Sequence, residues 1–571
     1  MQTRSRAAAS VTLGHALGSF LPPDDMLISV LVHLHDVEDL CRATAVSRHF
    51  QLLVEQALRL RATQNGYTPP QSLPDSEASW IQKLAWDERR RRFQALLPSQ
   101  TCAVGQDQTM FVNAAGQLLV CGTEAPRRGN PLFLGALGLG AGTITGRQNY
   151  RNEPMPPFNE VAVPTVVAAL SDVKVHSVSH WSGSTVVLSE DGAVYSFGMG
   201  AADWRTGALG HTEAEHAAMD SYTMDMLPNS TVYKYTPLPK PIAAFTGIRI
   251  SMIAPGCHDF CMAACEAGVV FSWGSNDMGR LGHGDMDEDG CYVPRRIDAL
   301  ASHRVCAVFA GNSSSFAIDI CGTLFAWGDD SCGLLGHGFD GYPDYVSTGD
   351  SESDGHDSVR EEWLTTPRAV RTLKDVFCVA VATSSTHSLV LARDGGVYSA
   401  GERKLIGRSR ADSDGGEEGD MSEEEPQDIS WCCVFKRVVA LQEFAICCIS
   451  ASNHHSLVVS RDGAVFAFGD GEAVHGTGEL HDTAPEAPKL VATLTDDIVS
   501  VFAGNNASLA VSSTGRAYGW GCGAKPWNAP GAEDEFAFSH DQLGLGVTEV
   551  QLLPMELPGS LQVKTSRRSA V

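Results

Sequence analysis

Residues 268–284 have the sequence GVVFSWGSNDMGRLGHG, in which a short apolar run lies between glycines six positions apart. Valine, phenylalanine and tryptophan favour β-strands, and a glycine ahead of such a strand favours a tight turn because it accepts a positive φ. Another apolar run precedes the first glycine. The pattern therefore predicts a β-hairpin with its turn at Gly268. At Gly274 we expect the backbone to pass close to a neighbour, where a side chain would clash.

The same pair of glycines occurs seven times along the chain. The pairs are Gly116 and Gly122, Gly192 and Gly198, Gly268 and Gly274, Gly322 and Gly328, Gly395 and Gly401, Gly463 and Gly469, and Gly515 and Gly521. Leu-Gly, often Leu-Gly-His-Gly, follows several pairs, as at 281–284 and 335–338. Such self-similarity indicates a repeat architecture, with one small sheet of about four strands in each copy.

A single four-stranded sheet exposes two apolar faces and is poorly stable alone. Radial stacking buries each face against the next sheet, which is how a β-propeller avoids long bare edges. The seven copies therefore predict an all-β fold, a seven-bladed β-propeller.

The copies resemble the repeats of the regulator of chromosome condensation (RCC-type) family. That family has Gly-x-x-His-Ser-Leu-x-Leu, then Asp-Gly-x-Val-x-x-Trp-Gly, then Gly-x-Leu-Gly-His-Gly. Similar sequences stand at Ser384–Leu391, Ser452–Val459 and Gly268–Gly284. The resemblance extends from Thr101 to about Leu557.

Three copies depart from the family pattern. Repeat one has Val120-Cys121 where the family has an aromatic residue, and repeat five has Ala400 there. Repeat six lacks a clear Leu-Gly. We expect these three blades to be more loosely packed than the others.

The sequence offers little for catalysis. His211, His283 and His337 recur at one repeat position, which indicates a structural hydrogen bond made once in each blade. The glycine-rich stretch 138–142 lacks the strand–helix context of a dinucleotide loop. No Ser/His/Asp set or carboxylate pair stands out. We therefore predict a non-catalytic binding protein without a cofactor.

The 16 cysteines include no Cys-x-x-Cys pair, and the adjacent pairs Cys432-Cys433 and Cys447-Cys448 point to opposite faces of a strand. We expect buried, reduced thiols and no metal site. A reducing compartment, cytoplasmic or nuclear, follows from this expectation.

The net charge of −26 argues against a protein that coats nucleic acid, so DNA is an unlikely partner. The acidity is concentrated. Residues 339–363 carry eight acidic residues and one arginine, and residues 411–428 carry nine acidic residues and no basic one. We expect both stretches to be solvated loop inserts. No apolar run approaches the length of a membrane-spanning helix, so no membrane partner is expected.

The chain before the propeller has helical periodicity. Apolar residues recur at helical spacing in PDDMLISVLVHL, residues 23–34, and two further helical runs follow within 21–61. Three such short helices bury only a small core, so some of the leucines must face another molecule.

This segment resembles an F-box, whose Pro-Asp-Glu-Leu-Leu-x-x-Ile-Leu-x-x-Leu is similar to residues 23–34 and whose Val-Ser-Arg is found at 46–48. It departs from the family at Pro22 and by one extra residue near His35. The resemblance implies binding to the Skp-type adaptor of a cullin-based ubiquitin ligase. The implied contact residues are Pro23, Met26, Leu27, Val30, Leu31, Leu34 and Leu40. A helical cap on the propeller is the alternative.

These patterns predict four segments. Residues 1–20 form a disordered tail and 21–61 the F-box-like domain. Residues 62–98 form a linker and a helix that ends in four arginines, which favour the C-terminal end of a helix dipole. Residues 99–571 form the propeller, with acidic inserts at 339–363 and 411–428.

Two functions follow from the resemblances, and a plain interaction scaffold is a third possibility. As a ubiquitin-ligase substrate receptor, the chain would hold the adaptor and cullin through the F-box. A target protein would bind the propeller rim, at residues 123–136, 212–247, 339–363, 402–430 and 523–541. Alternatively, the RCC-type family implies guanine-nucleotide exchange on a small Ras-like GTPase.

Overall fold

The predicted repeat can be followed in a computed structural model of the chain. The structure describes residues 24–32, 48–64, 79–98, 100–105, 108–124, 134–145, 157–181, 183–202, 208–226, 229–256, 259–286, 290–338, 363–408, 431–469, 475–478, 487–504, 507–521, 551–557 and 561–565. It divides into two units, Met1–Ala95 and Leu96–Val571. In the part described, no helix has the length and apolar character needed to cross a membrane.

The first unit contains three described helices: α1 (Asp24–Val32), α2 (Arg48–Gln64) and α3 (Trp80–Gln94). Ser79 caps α3, because its hydroxyl accepts a hydrogen bond from the backbone N–H of Gln82. A buried ion pair between Arg61 and Glu88 joins α2 to α3. The second helical run predicted by the sequence, at 37–45, lies outside the described residues.

The core of this unit is small, as the sequence predicted. Its buried apolar residues are Leu31, Val32, Leu53, Val54, Ala57, Leu58, Leu84 and Ala85. Helix α2 continues to Gln64, beyond the expected end of the F-box-like segment. Arg61 is the last residue of the predicted segment, and its buried pairing with Glu88 holds this end of α2 against α3.

Seven antiparallel sheets follow one another in the described part of the second unit, and they form the seven blades. Blade 1 contains β1 (Cys102–Val104), β2 (Gln108–Val112), β3 (Leu118–Thr123) and β4 (Glu160–Val166). Blade 2 contains β5 (Val175–Trp181), β6 (Ser184–Ser189), β7 (Val194–Ala202), β8 (Asp220–Met226) and β9 (Asn229–Pro241). Blade 3 contains β10 (Ile250–Pro255), β11 (Phe260–Cys265), β12 (Val270–Gly274) and β13 (Cys291–Arg296). Blade 4 contains β14 (Val305–Ala310), β15 (Ser314–Asp319), β16 (Leu324–Asp329) and β17 (Trp363–Ala369).

The remaining three blades repeat this order. Blade 5 contains β18 (Cys378–Thr383), β19 (His387–Ala392), β20 (Val397–Glu402) and β21 (Trp431–Arg437). Blade 6 contains β22 (Ile446–Ala451), β23 (His455–Ser460), β24 (Val465–Gly469) and β25 (Lys489–Leu490). Blade 7 contains β26 (Ile498–Ala503), β27 (Ala507–Ser512), β28 (Ala517–Gly521) and β29 (Gln551–Glu556). Blade 2 exceeds the predicted four strands, because the insert before its outer strand folds back as the hairpin β8–β9.

The glycine pair has the two predicted roles. Gly268 lies in the turn between β11 and β12 with a φ of 82°. Gly274 lies so close to the carbonyl oxygen of Asp259, the residue before β11, that a β-carbon would overlap it. The hairpin geometry therefore requires glycine at both positions.

Neighbouring blades are joined through the Leu-Gly motif. A β-carbon on Gly282 of blade 3 would lie 2.6 Å from Nε1 of Trp327 in blade 4. This indole N–H donates to the carbonyl of Arg280 at 2.9 Å. The aromatic residue of one blade therefore packs onto the glycine of the preceding blade.

Two of the departures from the repeat pattern are compensated by other residues. Ala400 leaves a space in blade 5, and Phe435 from the outer strand β21 fills it, in contact with Gly336 of blade 4. In repeat six, Gly476 occupies the Leu-Gly position and lies beneath Trp520. At these two places the expectation of looser packing is wrong, because the contact between an aromatic ring and a glycine of the preceding blade is still made.

Candidate interaction surfaces

The strand order separates each blade into two ends. The turn end carries the turn between the second and third strands. The loop end carries the connection from the third strand to the outer strand, where every predicted target-binding insert is located. Residues 339–362, 409–430 and 522–550 lie outside the described residues. The insert 212–247 of blade 2 is largely described, as are parts of 123–136 and the first residues of 402–430.

The blade 2 insert is anchored by polar contacts. A short helix, α4 (Glu213–Ala217), begins with a capping box formed by Thr212 and Glu215. Lys240 on β9 pairs with Glu215 at 2.8 Å, and this contact, together with Thr212, lowers the pKa of Glu215 to about 2. The ring of His216 packs edge-on against Tyr292 of blade 3, with 5.3 Å between centroids. The insert thus has a fixed shape at its base.

The inner strands surround a central channel with a cavity of about 230 Å³. Its wall consists mainly of small apolar side chains, such as Ala254, Val308 and Ala451. Residues Leu97, Pro98 and Gln100 also line it, and the Gln100 carbonyl accepts a hydrogen bond from the N–H of Val178 at 3.0 Å. The channel is therefore a mainly apolar space, lined in part by the segment 97–100 that leads into the propeller. Its described lining contains no Asp, Glu, Lys or Arg side chain that could bind a charged ligand.

The recurrent histidines make the predicted structural bonds. Nε2 of His211 lies 3.1 Å from the Ser196 hydroxyl, and Nε2 of His283 lies 3.1 Å from the Ser272 hydroxyl. In blade 4 the partner of His337 is the carbonyl of Ala326. Burial lowers the pKa of both His211 and His337 to about 4, so these rings are neutral near pH 7.

A second set of histidines joins blades 5, 6 and 7. Nε2 of His387 lies 2.7 Å from the hydroxyl of Ser456, and Nε2 of His455 lies 2.8 Å from the hydroxyl of Ser508. Burial lowers the pKa of His387 to about 3. These rings are occupied in holding blades together and are unsuited to proton transfer.

The described cysteines are free thiols. Burial raises the pKa of Cys102, Cys261 and Cys378, the last to about 12, which disfavours the reactive thiolate. Within the described residues, no group of three or more His, Cys, Asp or Glu side chains is arranged to hold a metal ion.

The predicted adaptor-contact residues differ in how far their side chains are exposed. Leu31 is only 6% exposed and belongs to the core, whereas Val30 is 59% exposed. Leu27 packs partly against the core. Leu31 therefore cannot present its side chain to a partner without leaving the core. Leu31 was assigned to the binding face by its position in the F-box-like motif, and helical spacing alone does not distinguish one side of a short helix from the other.

The remaining predicted contacts are not seen as side chains. Pro23, Leu34 and Leu40 lie outside the described residues, and of Met26 only the backbone within α1 is described. Helix α2 carries two further exposed leucines that the prediction did not include: Leu52 at 60% and Leu60. Their i, i+8 spacing places both on one side of α2, and this spacing was available in the sequence. We call Val30, Leu52 and Leu60 the helical apolar surface.

Comparison with known proteins identifies the repeats. The family model "Regulator of chromosome condensation (RCC1) repeat" matches residues 267–318 and 498–525. The E3 ubiquitin-protein ligase HERC2 of Mus musculus is 27% identical over 417 residues, 72% of this chain. The ultraviolet-B receptor UVR8 of Arabidopsis thaliana is 25% identical over 410 residues, which are 71% of this chain and 73% of UVR8. The chain spans only 7% of the length of mouse HERC2 and 25% of that of human HERC6.

Solved structures show the same fold. Prp20p from Saccharomyces cerevisiae, described with its binding properties to Gsp1p and histones, aligns with a TM-score of 0.52 at 19% identity. The alignment covers 82% of this chain and 89% of Prp20p. Human WBSCR16 also aligns with a TM-score of 0.52, at 17% identity, over 74% of this chain and 91% of that protein. The chain therefore contains regulator of chromosome condensation repeats, folded as a seven-bladed β-propeller.

Proposed function

We propose that this chain is a non-catalytic substrate receptor of a Skp/cullin/F-box ubiquitin ligase. The helical unit would bind the Skp-type adaptor, and the propeller would bind the target protein. The observation that carries the proposal is the helical apolar surface, which lies in the segment that resembles an F-box.

The helical apolar surface has the character of a protein interface. Val30 and Leu52 each expose more than half of their side chains, although the core of this unit contains space for few large residues. Several exposed large apolar residues in so small a unit are typical of an interaction site. Mouse HERC2, which shares the repeats, is itself a ubiquitin ligase, and this supports a role in the same chemistry.

Adaptor binding is best tested with Val30→Asp and Leu52→Asp in the full chain. Both side chains are exposed, so the variants should fold normally and lose at least tenfold in affinity for a purified Skp-type adaptor, measured by biolayer interferometry. Leu31→Asp is unsuitable, because it would place a charge in the core and unfold the helical unit.

Val439→Asp is the matched control, since it places the same charge on an exposed valine of the propeller. It should leave adaptor affinity unchanged. A wild-type chain that does not bind the adaptor, or a Val30→Asp/Leu52→Asp chain that binds as tightly as wild type, would contradict the proposal.

Nucleotide exchange on a Ras-like GTPase is the second candidate. Its support is the likeness to Prp20p, for which binding properties to Gsp1p are described. At 19% identity this likeness shows the fold alone. Release of a fluorescent guanine nucleotide from a panel of GTPases tests it directly, and we expect no acceleration by this chain.

A further inference from the structure

Two tryptophans occupy one equivalent position in neighbouring blades. Trp363 is the first residue of β17 and pairs with Asp329 on β16, while Trp431 is the first residue of β21 and pairs with Glu402 on β20. Side chains directly opposite on antiparallel strands project to the same side, with β-carbons about 5 Å apart. Each indole is therefore beside a carboxylate.

Blades 1 and 2, where the equivalent pairs are described, lack this combination. The equivalent pairs are Thr123 with Glu160 in blade 1 and Met199 with Tyr235 in blade 2. A repeat of this architecture therefore folds without an acid–tryptophan pair. The pair in blades 4 and 5 needs an explanation other than the packing of the blade.

The two pairs belong to one surface, because the loop of blade 4 lies against the outer strand of blade 5. The N–H of Gly338 donates to the carbonyl of Cys433 at 2.9 Å, and a β-carbon on Gly333 would lie 2.5 Å from the Cys433 sulfur. Burial, together with the charges of Asp329 and Glu402, raises the pKa of Cys332 to about 11. Both carboxylates are therefore close enough for their charges to act on the same thiol.

We call Asp329, Cys332, Trp363, Glu402 and Trp431 the acid–tryptophan rim. All five side chains are half-buried. They keep enough exposed surface to contact a partner, while the strands hold the two indoles in place. Asp329 accepts a hydrogen bond from the N–H of Ser331 at 2.9 Å, which fixes the orientation of its carboxylate.

The sequence that leads into both tryptophans is acidic. The chain segments that end at Trp363 and Trp431 contain eight acidic residues in 339–363 and nine in 411–428. The nearest described cations in the chain are Arg403, which has its own partner, and the exposed Lys404. A basic partner is therefore attracted, whereas an acidic protein or a nucleic acid is repelled.

We propose that the acid–tryptophan rim binds two basic side chains, lysine or arginine, of an extended basic segment of the target protein. Each cation lies on the face of an indole and faces the neighbouring carboxylate, so that cation–π attraction and charge pairing act together. The inference rests on the proposed function only in that the propeller binds a protein. It does not depend on adaptor binding.

The test uses the full chain and fluorescein-labelled Gly-Ser peptides that carry two arginines at different spacings, with fluorescence anisotropy as the measurement. Wild type should bind one spacing best, and the affinity should fall at high salt. Trp363→Leu and Trp431→Leu should each weaken binding about fivefold, as expected for a partly exposed cation–π contact. The same peptide with glutamates in place of arginines should not bind.

Variants that remove one charge distinguish binding by the acid–tryptophan rim from nonspecific attraction to the acidic chain. Asp329→Asn keeps the oxygen that accepts from Ser331, and Glu402→Gln removes only charge, so both should fold and bind less tightly. Asp394→Asn is the matched control, because it removes one charge at the turn end of blade 5 and keeps the acceptor for Gly396 at 2.9 Å. Its peptide affinity should equal that of wild type.

The proposal is overturned if the Trp363→Leu/Trp431→Leu double variant binds the peptide as tightly as wild type, since the acidic inserts would then hold it alone. Equal binding of arginine and glutamate peptides, or no binding to wild type at any spacing, overturns it as well. If the tryptophan variants do not fold, the test is the peptide affinity of Glu402→Gln, and unchanged affinity in that variant overturns the proposal. Adaptor affinity is measured on the same samples. If the adaptor binds and the peptide does not, the rim proposal fails and the receptor proposal stands; if the peptide binds and the adaptor does not, the reverse holds.

Discussion

The backbone N–H of Val563 donates to the carbonyl of Gly515 at 2.9 Å. Elsewhere in the ring the same bond comes from the first residue of the following inner strand, at distances of 2.8 to 3.1 Å. These pairs are Val175 with Gly116, Ile250 with Gly192, Val305 with Gly268, Cys378 with Gly322, and Ile446 with Gly395. Residues 561–565 therefore occupy the place where the inner strand of blade 1 should begin.

The same segment also pairs with blade 1. The N–H of Lys564 donates to Val112 at 2.8 Å, and the Gln562 carbonyl accepts from Ala114 at 2.7 Å. The inner strand of blade 1 is thus built from two distant parts of the chain, 561–565 and β1. We call residues 561–565 the C-terminal clasp, because they close the ring without a covalent bond.

Removal of the clasp should open the ring. A chain ending at Leu557 loses three backbone hydrogen bonds, each worth about 1 kcal/mol, and the burial of Leu561 and Val563, each worth about 2 kcal/mol. We expect a stability loss of several kcal/mol and a broader thermal transition in differential scanning calorimetry. A chain ending at Thr565 is the control and should melt like the full chain. Equal melting of the shorter chain would show that the clasp does not close the ring.

Gly282 should tolerate alanine much less well than Gly247. Gly282 has a φ of 77° and Gly247 a φ of 81°, but a β-carbon at Gly247 meets nothing within 4 Å. The backbone penalty, about 1–2 kcal/mol, is common to both variants. Gly282→Ala must also displace Trp327, which we expect to raise the loss to about 3–5 kcal/mol in urea unfolding. Equal losses would mean that the Trp327 contact contributes nothing to stability.

The sequence predicted the local parts of the fold well. Turn glycines such as Gly268 and the alternating strands depend on residues close in the chain, so the repeat pattern was sufficient to predict them. The pairing of Val563 with Gly515 depends on how the whole ring closes, which no local pattern encodes. Likewise, helical periodicity predicted α1 but did not decide whether Val30 or Leu31 faces the core.

In blade 5, Phe435 takes the place of the aromatic residue that the repeat pattern has at position 400. This could not be predicted from the sequence, because Phe435 comes from another strand. Phe435→Ala should leave a cavity beside Gly336 and lower stability by about 3–5 kcal/mol. Adding Ala400→Phe to this variant restores an aromatic residue at the usual repeat position and should recover part of the loss. Ala400→Phe alone should destabilise the chain by overpacking. If the double variant is no more stable than Phe435→Ala, the two positions do not share one space.

Acid should destabilise the propeller through its buried histidines. Burial lowers the pKa of His180 and His337 to about 4 and that of His387 to about 3, whereas an unfolded histidine titrates near 6.5. Below pH 6.5 the unfolded chain binds protons that the folded chain excludes. The stability contributed by the neutral rings is therefore complete above pH 6.5 and is lost as the pH falls towards 4, by up to about 1.4 kcal/mol per pH unit for each ring.

One buried carboxyl acts in the opposite direction. Burial raises the pKa of Glu124 to about 7. Between pH 4.5 and 7 the folded chain therefore binds more protons at this group than the unfolded chain does. As a result, Glu124 by itself makes the fold more stable as the pH falls through that range. Urea unfolding between pH 7.5 and 4.5 separates the two effects. His387→Gln should reduce the loss of stability on acidification, and Glu124→Gln should increase it. If both variants keep the wild-type pH slope, these side chains do not titrate differently in the folded and unfolded states.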